Sequence, residues 1–325
     1  MAYTTDLNAE LVSKQASKNT KMLFEYLKSI YGKKHLAGQQ YLQSEEVEDL
    51  VYYHLTGKLP AVRGYDFMGV SSCKKTDDQV DRAIKWATQC GGIVTMCWHW
   101  YAPNDMDDYS KGSSFYYKTT SYDHKTCFDL CKGVTEGTAE YEFIIREIDM
   151  VSAELKRMAQ LDIPVLWRPL HEANGNWFWW GNHDEQHCEA YKKLWYMIFD
   201  RMENYHKLTN LIWVWNSQVP ECYPGDGVVD IISRDMYPPE HEHTSQSEMY
   251  YNLCEITSEK KITIIGETGT LPSPEAVVSE KVGWSSYMTW SKPFCLTEKF
   301  NTFEQLKKVY NSEYAVTKDK LPVLY

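Results

Sequence analysis

The chain has 325 residues, which suits either two ordinary domains or one barrel domain, because α/β barrels often run past about 250 residues. Its formal net charge of −11 and the lack of a long basic run argue against nucleic acid or an anionic membrane surface as a partner. The 12 Trp and 24 Tyr exceed what packing usually requires, and surplus aromatic rings are typical of sugar-binding sites, although single rings also fill cores.

Eight short runs of apolar and β-branched residues predict strands, with longer segments between them. The predicted strands cover residues 35–39, 61–67, 92–99, 163–170, 211–216, 229–236, 262–267 and 281–290. The clearest helices are predicted at 142–161 and 184–207, where apolar residues recur at helical spacing. Helix starts are indicated by capping boxes at 76–79 and 302–305 and by Ser273 before Pro274.

Strands that alternate with helices predict a parallel sheet, and eight of them favour a single (β/α)8 TIM barrel spanning residues 1–325. An open doubly wound sheet is the alternative, but no Gly-rich phosphate-binding turn follows the first strand. No change of composition marks a second domain. Residues 101–137 have no clear period, so we expect a long loop after the third strand, on the face where barrels carry their active sites.

The fourth predicted strand leads into the most informative segment of the chain. Residues 167–181 read WRPLHEANGNWFWWG and place His171 and Glu172 at the carboxyl end of that strand, where barrels carry their chemistry. Aromatic surface around Glu172 would exclude water from its carboxyl group and raise its pKa, which suits a general acid near neutral pH. The alternative is a surface glutamate beside Trp residues that only cover the end of the barrel.

A second acidic residue, Glu267, ends the apolar run in ITIIGETG at residues 262–269. A charge at the end of a buried strand is costly unless it is paired or used in chemistry. Because Glu172 follows the fourth strand and Glu267 the seventh, a closed barrel would bring both to one cavity. A retaining glycosidase needs such a pair, as acid/base and nucleophile, with carboxyl groups about 5–5.5 Å apart.

The segment WRPLHEANGNWFWWG resembles the acid/base signature of glycoside hydrolase family 26, whose best-known members are endo-β-1,4-mannanases. Three further segments resemble motifs of that family: CWHW at 97–100, YPGD at 223–226 followed by DMY at 235–237, and GETG at 266–269. The resemblance spans roughly residues 64–290. It implies a (β/α)8 barrel with catalytic glutamates on strands four and seven, and His171 in place of the Asn that many members of the clan carry before the acid/base.

By this resemblance Glu172 is the acid/base and Glu267 the nucleophile of a retaining double displacement that uses no metal or organic cofactor. The implied activity is endo-hydrolysis of β-1,4-mannosidic bonds in mannan, galactomannan or glucomannan. Other specificities, such as β-1,3-1,4-glucanase or β-1,3-xylanase, stay open because loops around the subsites choose the sugar. A non-catalytic carbohydrate-binding barrel is a further alternative, although a binding protein has no need of two such glutamates.

The resemblance further implies a set of side chains that contact the sugar or arrange the cleavage subsite. They are His99, His171, Trp177, Tyr237, Trp290 and Arg168. Trp290 would form the stacking floor, although Trp284 lies in the same run. Arg168 would pair with a catalytic carboxylate or form a salt bridge inside the barrel. Asp235 and Asn216 would bind hydroxyl groups or support the site.

One pattern points to a different class of enzyme. His183 and His187 have the i, i+4 spacing of zinc-binding helices, with Asp184 where such proteases use Glu. The same residues open a predicted helix, which Asn182 or Asp184 would cap, so a zinc hydrolase is the weaker interpretation. The HEH segment at 241–243 lies in a polar loop and is more typical of solvated side chains than of ligands.

Nine Cys leave at least one thiol without a partner in the chain, and Cys127 and Cys131 could bridge. Cys97 and Cys254 have apolar neighbours and are expected to be buried. The chain has no CxxC pair, which excludes a zinc ribbon or a thioredoxin-type motif.

The first 20 residues have no apolar core, so we expect no signal peptide within them, and no apolar run is long enough to span a bilayer. A polymer substrate nevertheless favours secretion, and a secreted chain that lacks its leader would look the same. We therefore expect a secreted monomer whose partner is a β-linked polysaccharide or oligosaccharide, not nucleic acid or a membrane.

Overall fold

The computed structural model describes residues 7, 9–42, 46–73, 78–181, 183, 185–258 and 260–324. Its central sheet contains eight parallel strands, each within a run predicted from the sequence or extending it by one residue. They are β1 (His35–Gln40), β2 (Val62–Asp66), β3 (Ile93–Cys97), β4 (Val165–Arg168), β5 (Leu211–Asn216), β6 (Ile231–Met236), β7 (Ile262–Thr268) and β8 (Ser286–Thr289). The runs predicted at 163–170 and 281–290 are longer than β4 and β8. Leu170 and Lys281 have φ angles of 52° and 56°, which a strand does not accommodate.

The sheet closes on itself, because β8 pairs in parallel with β1 as well as with β7. The closing ladder runs from Leu36 opposite Ser286 to Gln39 opposite Thr289. Strand order around the barrel follows the order in the chain. The predicted (β/α)8 barrel is confirmed, and the open doubly wound sheet is wrong.

Helices surround the barrel and lie in most of the connections between its strands. They are α1 (Lys18–Ile30), α2 (Val47–Thr56), α3 (Gln79–Lys85), α4 (Leu130–Gly133), α5 (Ala139–Gln160), α6 (Glu185–Asp200), α7 (Ser247–Cys254), α8 (Pro274–Ser279) and α9 (Phe303–Asn311). The helix predicted at 142–161 is α5, and the one predicted at 184–207 is α6 followed by a π-helical turn, Arg201–Tyr205. The connection from β5 to β6, described throughout, contains only the 3₁₀ turns Pro220–Cys222 and Asp226–Val228.

Two of the predicted helix starts have the expected hydrogen bonds. The hydroxyl of Thr302 accepts from the backbone N–H of Gln305 at 3.0 Å, and that of Ser273 accepts from the N–H of Ala276 at 3.4 Å. The capping box predicted at 76–79 falls partly outside the described residues, since Thr76 and Asp77 are not among them.

The segment predicted as a long loop, 101–137, contains some regular structure. Two-residue strands, Ala102–Pro103 and Ser113–Ser114, pair in antiparallel fashion, and α4 follows. The segment is tied to the chain after β4, because the N–H of Tyr117 donates to the carbonyl of Trp177 at 2.7 Å and Tyr116 bridges to Phe178. Residues 101–137 therefore lie beside the segment that follows β4, at the carboxyl end of that strand.

Apolar side chains fill the amino-terminal end of the barrel. Strand residues that face inward pack there against α1 through a cluster that contains Leu36, Val62, Ile93, Leu166, Ile212, Val214, Ile231, Ile262, Ile264, Leu23, Phe24 and Leu27. α1 thus closes this end. Burying each such Leu or Ile stabilises the fold by about 1.5–3 kcal/mol, so this end of the molecule serves packing.

One disulfide, which the sequence did not indicate, joins Cys188 of α6 to Cys222 in the β5–β6 connection. Cys127 and Cys131 do not bridge each other, so that suggested pairing is wrong. The two bonded residues are 34 positions apart and meet only because α6 packs beside this connection. Cys97 is buried as expected, and Cys254 is partly buried. Within the described part of the chain, the helices are too short or too polar for any of them to traverse a bilayer.

Candidate active site

Three acidic side chains meet at the carboxyl end of the barrel. Glu172 follows β4, Asp235 lies in β6 and Glu267 lies in β7. One carboxylate oxygen of each lies within 4.8 Å of those of the other two. The two glutamates singled out from the sequence therefore face one cavity, although they come from strands that are three apart in the barrel, and Asp235 joins them there.

A β-bulge turns Glu267 toward this cavity. The pairing of β6 with β7 shifts after Arg234, so that Asp235 lies opposite Glu267 and Gly266 is left as the extra residue of β7. Ile264 packs inside the barrel, and strict alternation along the strand would turn Glu267 outward. The bulge reverses that direction.

Only glycine fits at the extra position. A Cβ on Gly266 would lie 2.5 Å from Oδ1 of Asp235 and 2.6 Å from Nδ2 of Asn216, closer than real Cβ atoms approach. Those two atoms are themselves hydrogen-bonded at 2.7 Å. The Gly-Glu pair in GETG is therefore a steric requirement of this site.

Arg168 and Tyr237 hold both oxygens of Glu267. Nη2 of Arg168 donates to Oε1, and the hydroxyl of Tyr237 donates to Oε2 at 2.8 Å. Nη1 of Arg168 also donates to Asp235 at 2.7 Å. The side chains of Arg168, Asp235 and Glu267 are 1%, 2% and 4% exposed, so each depends on the others for its charge partner. Both contacts suggested for Arg168 thus exist, to a carboxylate of the candidate pair and within the barrel.

Asn216 connects the two halves of the carboxylate cluster. Its Oδ1 accepts from the backbone N–H of Glu172 at 2.8 Å. Its Nδ2 donates to Asp235 at 2.7 Å and to the hydroxyl of Ser233 at 2.9 Å. Asn216 is fully buried, so it positions Glu172 and Asp235 from inside the barrel.

Glu172 is held by its backbone and by one indole. Its φ angle is 55° and that of Leu170 is 52°, so the chain turns sharply on either side of His171. Nε1 of Trp177 donates to Oε2 of Glu172 at 2.7 Å. Gly175 leaves room for this contact, because a Cβ there would overlap the ring of Trp177.

The surroundings of Glu172 favour its protonated form. Burial raises the pKa of Glu172 well above its ordinary value, and the negative charges of Asp235 and Glu267 raise it further. The hydrogen bond from Trp177 and the charge of Arg168 act in the opposite direction. The net direction is upward, as the aromatic segment around this residue predicted.

Two histidines face each other beside the carboxylates. The Nε2 atoms of His99 and His171 are 3.3 Å apart. Nδ1 of His99 bonds the carboxylate of Asp66, which also accepts from the backbone N–H of His99 at 3.0 Å. Asp66 is not among the residues that the sequence patterns predicted for the site. The signal was present, since Asp66 is an acidic residue at the end of a buried strand, as Glu267 is.

The pKa values of these two histidines are shifted in opposite directions. Burial lowers the pKa of His171 well below its ordinary value, and the neighbouring His99 and Arg168 lower it further. Burial also acts to lower the pKa of His99, but the charge and hydrogen bond of Asp66 outweigh it and the pKa is raised. His171 is therefore a neutral group in this cavity.

The remaining predicted residue, Trp290, follows β8 and is half-buried, with its backbone N–H bonded to the carbonyl of Thr268 at 2.9 Å. Its ring centroid lies 6.4 Å from that of His99, at the cavity. Trp284 is buried elsewhere, with Nε1 bonded to the carbonyl of Ser245 at 3.0 Å. All eight residues predicted for the site therefore lie around one cavity, and Trp290 is the tryptophan of that run that reaches it.

His183, the first histidine of the zinc-like pattern, contacts a backbone carbonyl and an aromatic ring. Nε2 of His183 contacts the carbonyl oxygen of Phe178 at 2.8 Å, and its ring packs against Tyr117 with centroids 4.1 Å apart. Asn182 and Asp184, the suggested caps, lie outside the described residues. Among the described residues, the groups of three or more potential ligands are Glu172 with Asp235 and Glu267, and Cys97 with His99 and His171. Neither contains His183 or His187.

Comparison with known families and proteins identifies relatives over nearly the whole chain. Residues 12–320 match the family described as Glycosyl hydrolase family 26. A mannan endo-1,4-beta-mannosidase of Thermothelomyces thermophilus is 36% identical over 322 residues, which are 97% of this chain and 64% of that protein. Mannan endo-1,4-beta-mannosidase A of Piromyces sp. is 36% identical over 98% of this chain and 52% of its own length. The chain thus spans between about half and two-thirds of these relatives.

One solved structure matches this chain over nearly the whole length of both chains. The beta-mannanase from a symbiotic protist of the termite Reticulitermes speratus, complexed with gluco-manno-oligosaccharide, superposes with a TM-score of 0.87 at 30% identity. The match covers 98% of each chain. The barrel described above therefore has nearly the same extent as the chain in that structure.

Proposed function

Because the chain belongs to glycosyl hydrolase family 26, we propose that it is a retaining endo-β-1,4-mannanase that cleaves internal bonds of mannan, galactomannan or glucomannan. The relatives named for mannan endo-1,4-beta-mannosidase activity support the substrate. The distance between the carboxylates of Glu172 and Glu267 supports the mechanism and is the observation that carries the proposal.

The separation of the two carboxyl groups distinguishes retaining from inverting hydrolysis. An inverting enzyme leaves about 6.5–9.5 Å for a water molecule, whereas a retaining enzyme has about 5–5.5 Å between its carboxyl groups. One oxygen of Glu172 and one of Glu267 lie within 4.8 Å of each other, which is too close for a water molecule to stand between the carboxylate of Glu267 and the anomeric carbon. Direct attack by one carboxylate fits this spacing.

In the first step Glu267 attacks the anomeric carbon, and Glu172 gives its proton to the departing glycosidic oxygen. The bond between sugar and leaving group breaks as the glycosyl–enzyme ester forms. In the second step Glu172, now a carboxylate, takes a proton from water as that water attacks the same carbon and releases Glu267. The raised pKa of Glu172 suits it to begin as the acid.

The other residues of the cavity orient these two groups or contact the sugar. Arg168 and Tyr237 keep the carboxylate of Glu267 directed at the anomeric carbon. Trp177 holds the carboxyl of Glu172. His99, His171 and Trp290 line the cleavage subsite, where we assign them to sugar contacts.

Isosteric substitutions test the two glutamates. Glu267→Gln should lower kcat on mannan by at least about 10⁴-fold, since it removes the nucleophile. Glu172→Gln should be as inactive on mannan, yet retain much of its activity on an aryl mannobioside whose leaving group needs little protonation. The matched control is Glu221→Gln on an exposed turn, which should behave as wild type. Near-normal hydrolysis of mannan by either cavity variant would mean that other carboxylates do the chemistry.

Product analysis tests the substrate separately. The wild-type protein should release oligosaccharides from mannan and glucomannan and leave barley β-glucan and β-1,3-xylan intact. Activity confined to the last two would replace the mannan assignment with another β-glycanase specificity on the same residues. Internal cleavage predicts a rapid fall in galactomannan viscosity before reducing ends accumulate.

We further propose that residues 1–325 act as one catalytic domain, as a monomer, outside the cell. A polysaccharide is too large to enter a cell, and the disulfide between Cys188 and Cys222 is typical of an oxidising compartment. Light scattering of the purified chain measures the oligomeric state. Fractionation of the source cells, followed by immunodetection, measures the compartment, and a purely intracellular signal would contradict secretion.

A further inference from the structure

Cys97, His99 and His171 form a cluster that the proposed hydrolysis does not use as a unit. Cys97 is the last residue of β3, and its buried thiol donates to the carbonyl oxygen of Tyr65 at 3.6 Å. The sulfur and one ring nitrogen of each histidine all lie within 4.8 Å of one another. Thiol and imidazole are the ligand pair that proteins use for zinc and other soft-ligand divalent cations.

The distance between the two imidazoles matches a shared metal ion. Zinc binds histidine nitrogen at about 2.0–2.1 Å with tetrahedral angles, which places two such nitrogens about 3.4 Å apart. The Nε2 atoms of His99 and His171 are 3.3 Å apart. A sulfur ligand at about 2.3 Å from zinc would lie about 3.6 Å from each nitrogen. The Cys97 sulfur lies within 4.8 Å of a ring nitrogen of each histidine, so it would have to approach by up to about 1.2 Å.

The surroundings also favour a cation. A metal-bound histidine usually donates its second N–H to a carboxylate, which fixes the ring and directs the other lone pair at the metal. Asp66 has this relation to His99, since it bonds Nδ1 and leaves Nε2 facing His171. The carboxylates of Asp66, Asp235 and Glu267 outnumber the one nearby guanidinium, Arg168.

The neighbouring acidic cluster is a poorer metal site. Arg168 donates to both Asp235 and Glu267 there, so its charge already occupies the position a cation would take. Among the described residues, Arg168 has its hydrogen bonds with those two carboxylates and not with Cys97, His99 or His171, although its charge also lowers the pKa of these three groups. Of these, His99 is reachable from the cavity, with 11% of its side chain exposed.

We propose that Cys97, His99 and His171 bind one divalent cation of the zinc class at the floor of the cavity, with the fourth position open to water. When the cation binds, the thiol proton of Cys97 and the proton between the Nε2 atoms of His99 and His171 leave to solvent, so that all three ligand atoms offer a lone pair. A bound cation occupies the space of the cleavage subsite, so it competes with substrate and inhibits hydrolysis reversibly. This last consequence rests on the proposed function, whereas the binding itself does not.

Cobalt(II) tests the binding without any substrate. Titration of the wild-type chain with Co²⁺ should give a thiolate-to-cobalt charge-transfer band that saturates at one ion per chain, and Zn²⁺ should displace it. Cys97→Ser should lose the band and keep its hydrolytic activity. Cys90→Ser, which removes an exposed thiol, should keep both and serves as the matched control.

Inhibition by Zn²⁺ gives a second measurement. The inhibition constant should rise at least about tenfold in Cys97→Ser, since loss of even an outer partner of a metal site costs that much. Manno-oligosaccharide at saturation should weaken Co²⁺ binding to the wild type. If the chain proves not to hydrolyse mannan, the cobalt band still decides the metal site, so the two proposals fail separately.

Absence of the band, or a band that survives in Cys97→Ser, would overturn the proposal and leave a hydrogen-bonded imidazole pair only. Thermal unfolding of Cys97→Ser checks that the variant is folded. Should it not fold, NMR shifts of the His99 and His171 ring protons in the wild type on addition of Zn²⁺ decide the question. Both rings must shift together at one equivalent for the site to stand.

Discussion

The two ends of this barrel are built from the same eight strands and differ in the side chains that face the inside of the barrel. At the amino-terminal end the inward side chains are aliphatic and pack against α1. At the carboxyl end they include Arg168, Asn216, Asp235 and Glu267, which satisfy one another through hydrogen bonds. The first end needs only volume to be filled. The second needs each partner in place, because a buried charge without its partner is expensive.

We therefore predict that substitutions at the amino-terminal end change stability alone, whereas substitutions of the charged residues at the carboxyl end change both stability and catalysis. Arg168→Met is expected to have the largest effect on stability, since it leaves Asp235 and Glu267 buried without a countercharge. We expect a loss of about 3–5 kcal/mol in the free energy of unfolding and a fall of about 10²–10³-fold in kcat/KM. Denaturant unfolding and steady-state kinetics measure the two.

The surface pair of Arg157 supplies the control for that substitution. Arg157 contacts Asp81 and Glu154 in exposed positions, so Arg157→Met should change the unfolding free energy by less than about 1 kcal/mol. Equal effects at Arg168 and Arg157 would contradict the idea that the carboxyl end depends on buried charge partners.

Leu27→Ala tests the opposite end. Leu27 is fully buried in α1, so its truncation should lower the unfolding free energy by about 2–5 kcal/mol. At temperatures where the variant is folded, kcat/KM should equal that of the wild type, because the site lies at the other end of the barrel. A parallel loss of kcat/KM would show that the two ends are coupled.

Asp66→Asn examines a residue that acts through His99. Loss of this hydrogen bond should let the ring of His99 leave its place beside the sugar, and a misplacement of about 1 Å can lower kcat/KM by up to about 10²-fold. Asp66 raises the pKa of His99, so the substitution should also lower the pKa of that ring. NMR titration of His99 measures this directly. An unchanged pKa would reduce Asp66 to a packing role.

Trp177→Phe should produce the smallest and most specific effect. A general acid must be protonated, so kcat/KM falls as pH rises through the pKa of Glu172. The Trp177 hydrogen bond lowers that pKa. Its removal should therefore move the alkaline limb of the pH profile of kcat/KM to higher pH. Trp179→Phe is the control, because its Nε1 bonds the carbonyl of Trp100 and not a carboxylate. A limb that stays in place, or moves to lower pH, would contradict the assignment of Glu172 as the acid.

The sequence predicted the elements of this fold and not their register. Period and composition located all eight strands, and the strand count was enough to bring Glu172 and Glu267 together. The bulge at Gly266 could not be predicted, because it depends on how β6 and β7 pair after Arg234. By alternation alone Glu267 would point outward, so its position at the strand end was a better guide than its place in the inward–outward pattern.

Contacts between distant segments were the other gap. The side-chain contact of Asp66 with His99, 33 residues later, exists only once β2 and β3 are paired in register. The disulfide depends in the same way on the packing of α6. Neither has a local signature, since hydrogen bonds and thiol pairs at such separation leave no period in the sequence.

The missing helix between β5 and β6 gives the disulfide a particular importance. Elsewhere the wall of the barrel is covered by packed helices, but here a covalent tie from α6 secures a connection of short turns. A disulfide that closes a loop of this length lowers the conformational entropy of the unfolded chain, which in the entropy model stabilises the folded protein by about 3–4 kcal/mol. In protein made in a reducing cytosol, where this disulfide does not form, we therefore expect proteases to cleave the β5–β6 connection, and heat to unfold it, before the rest of the barrel unfolds.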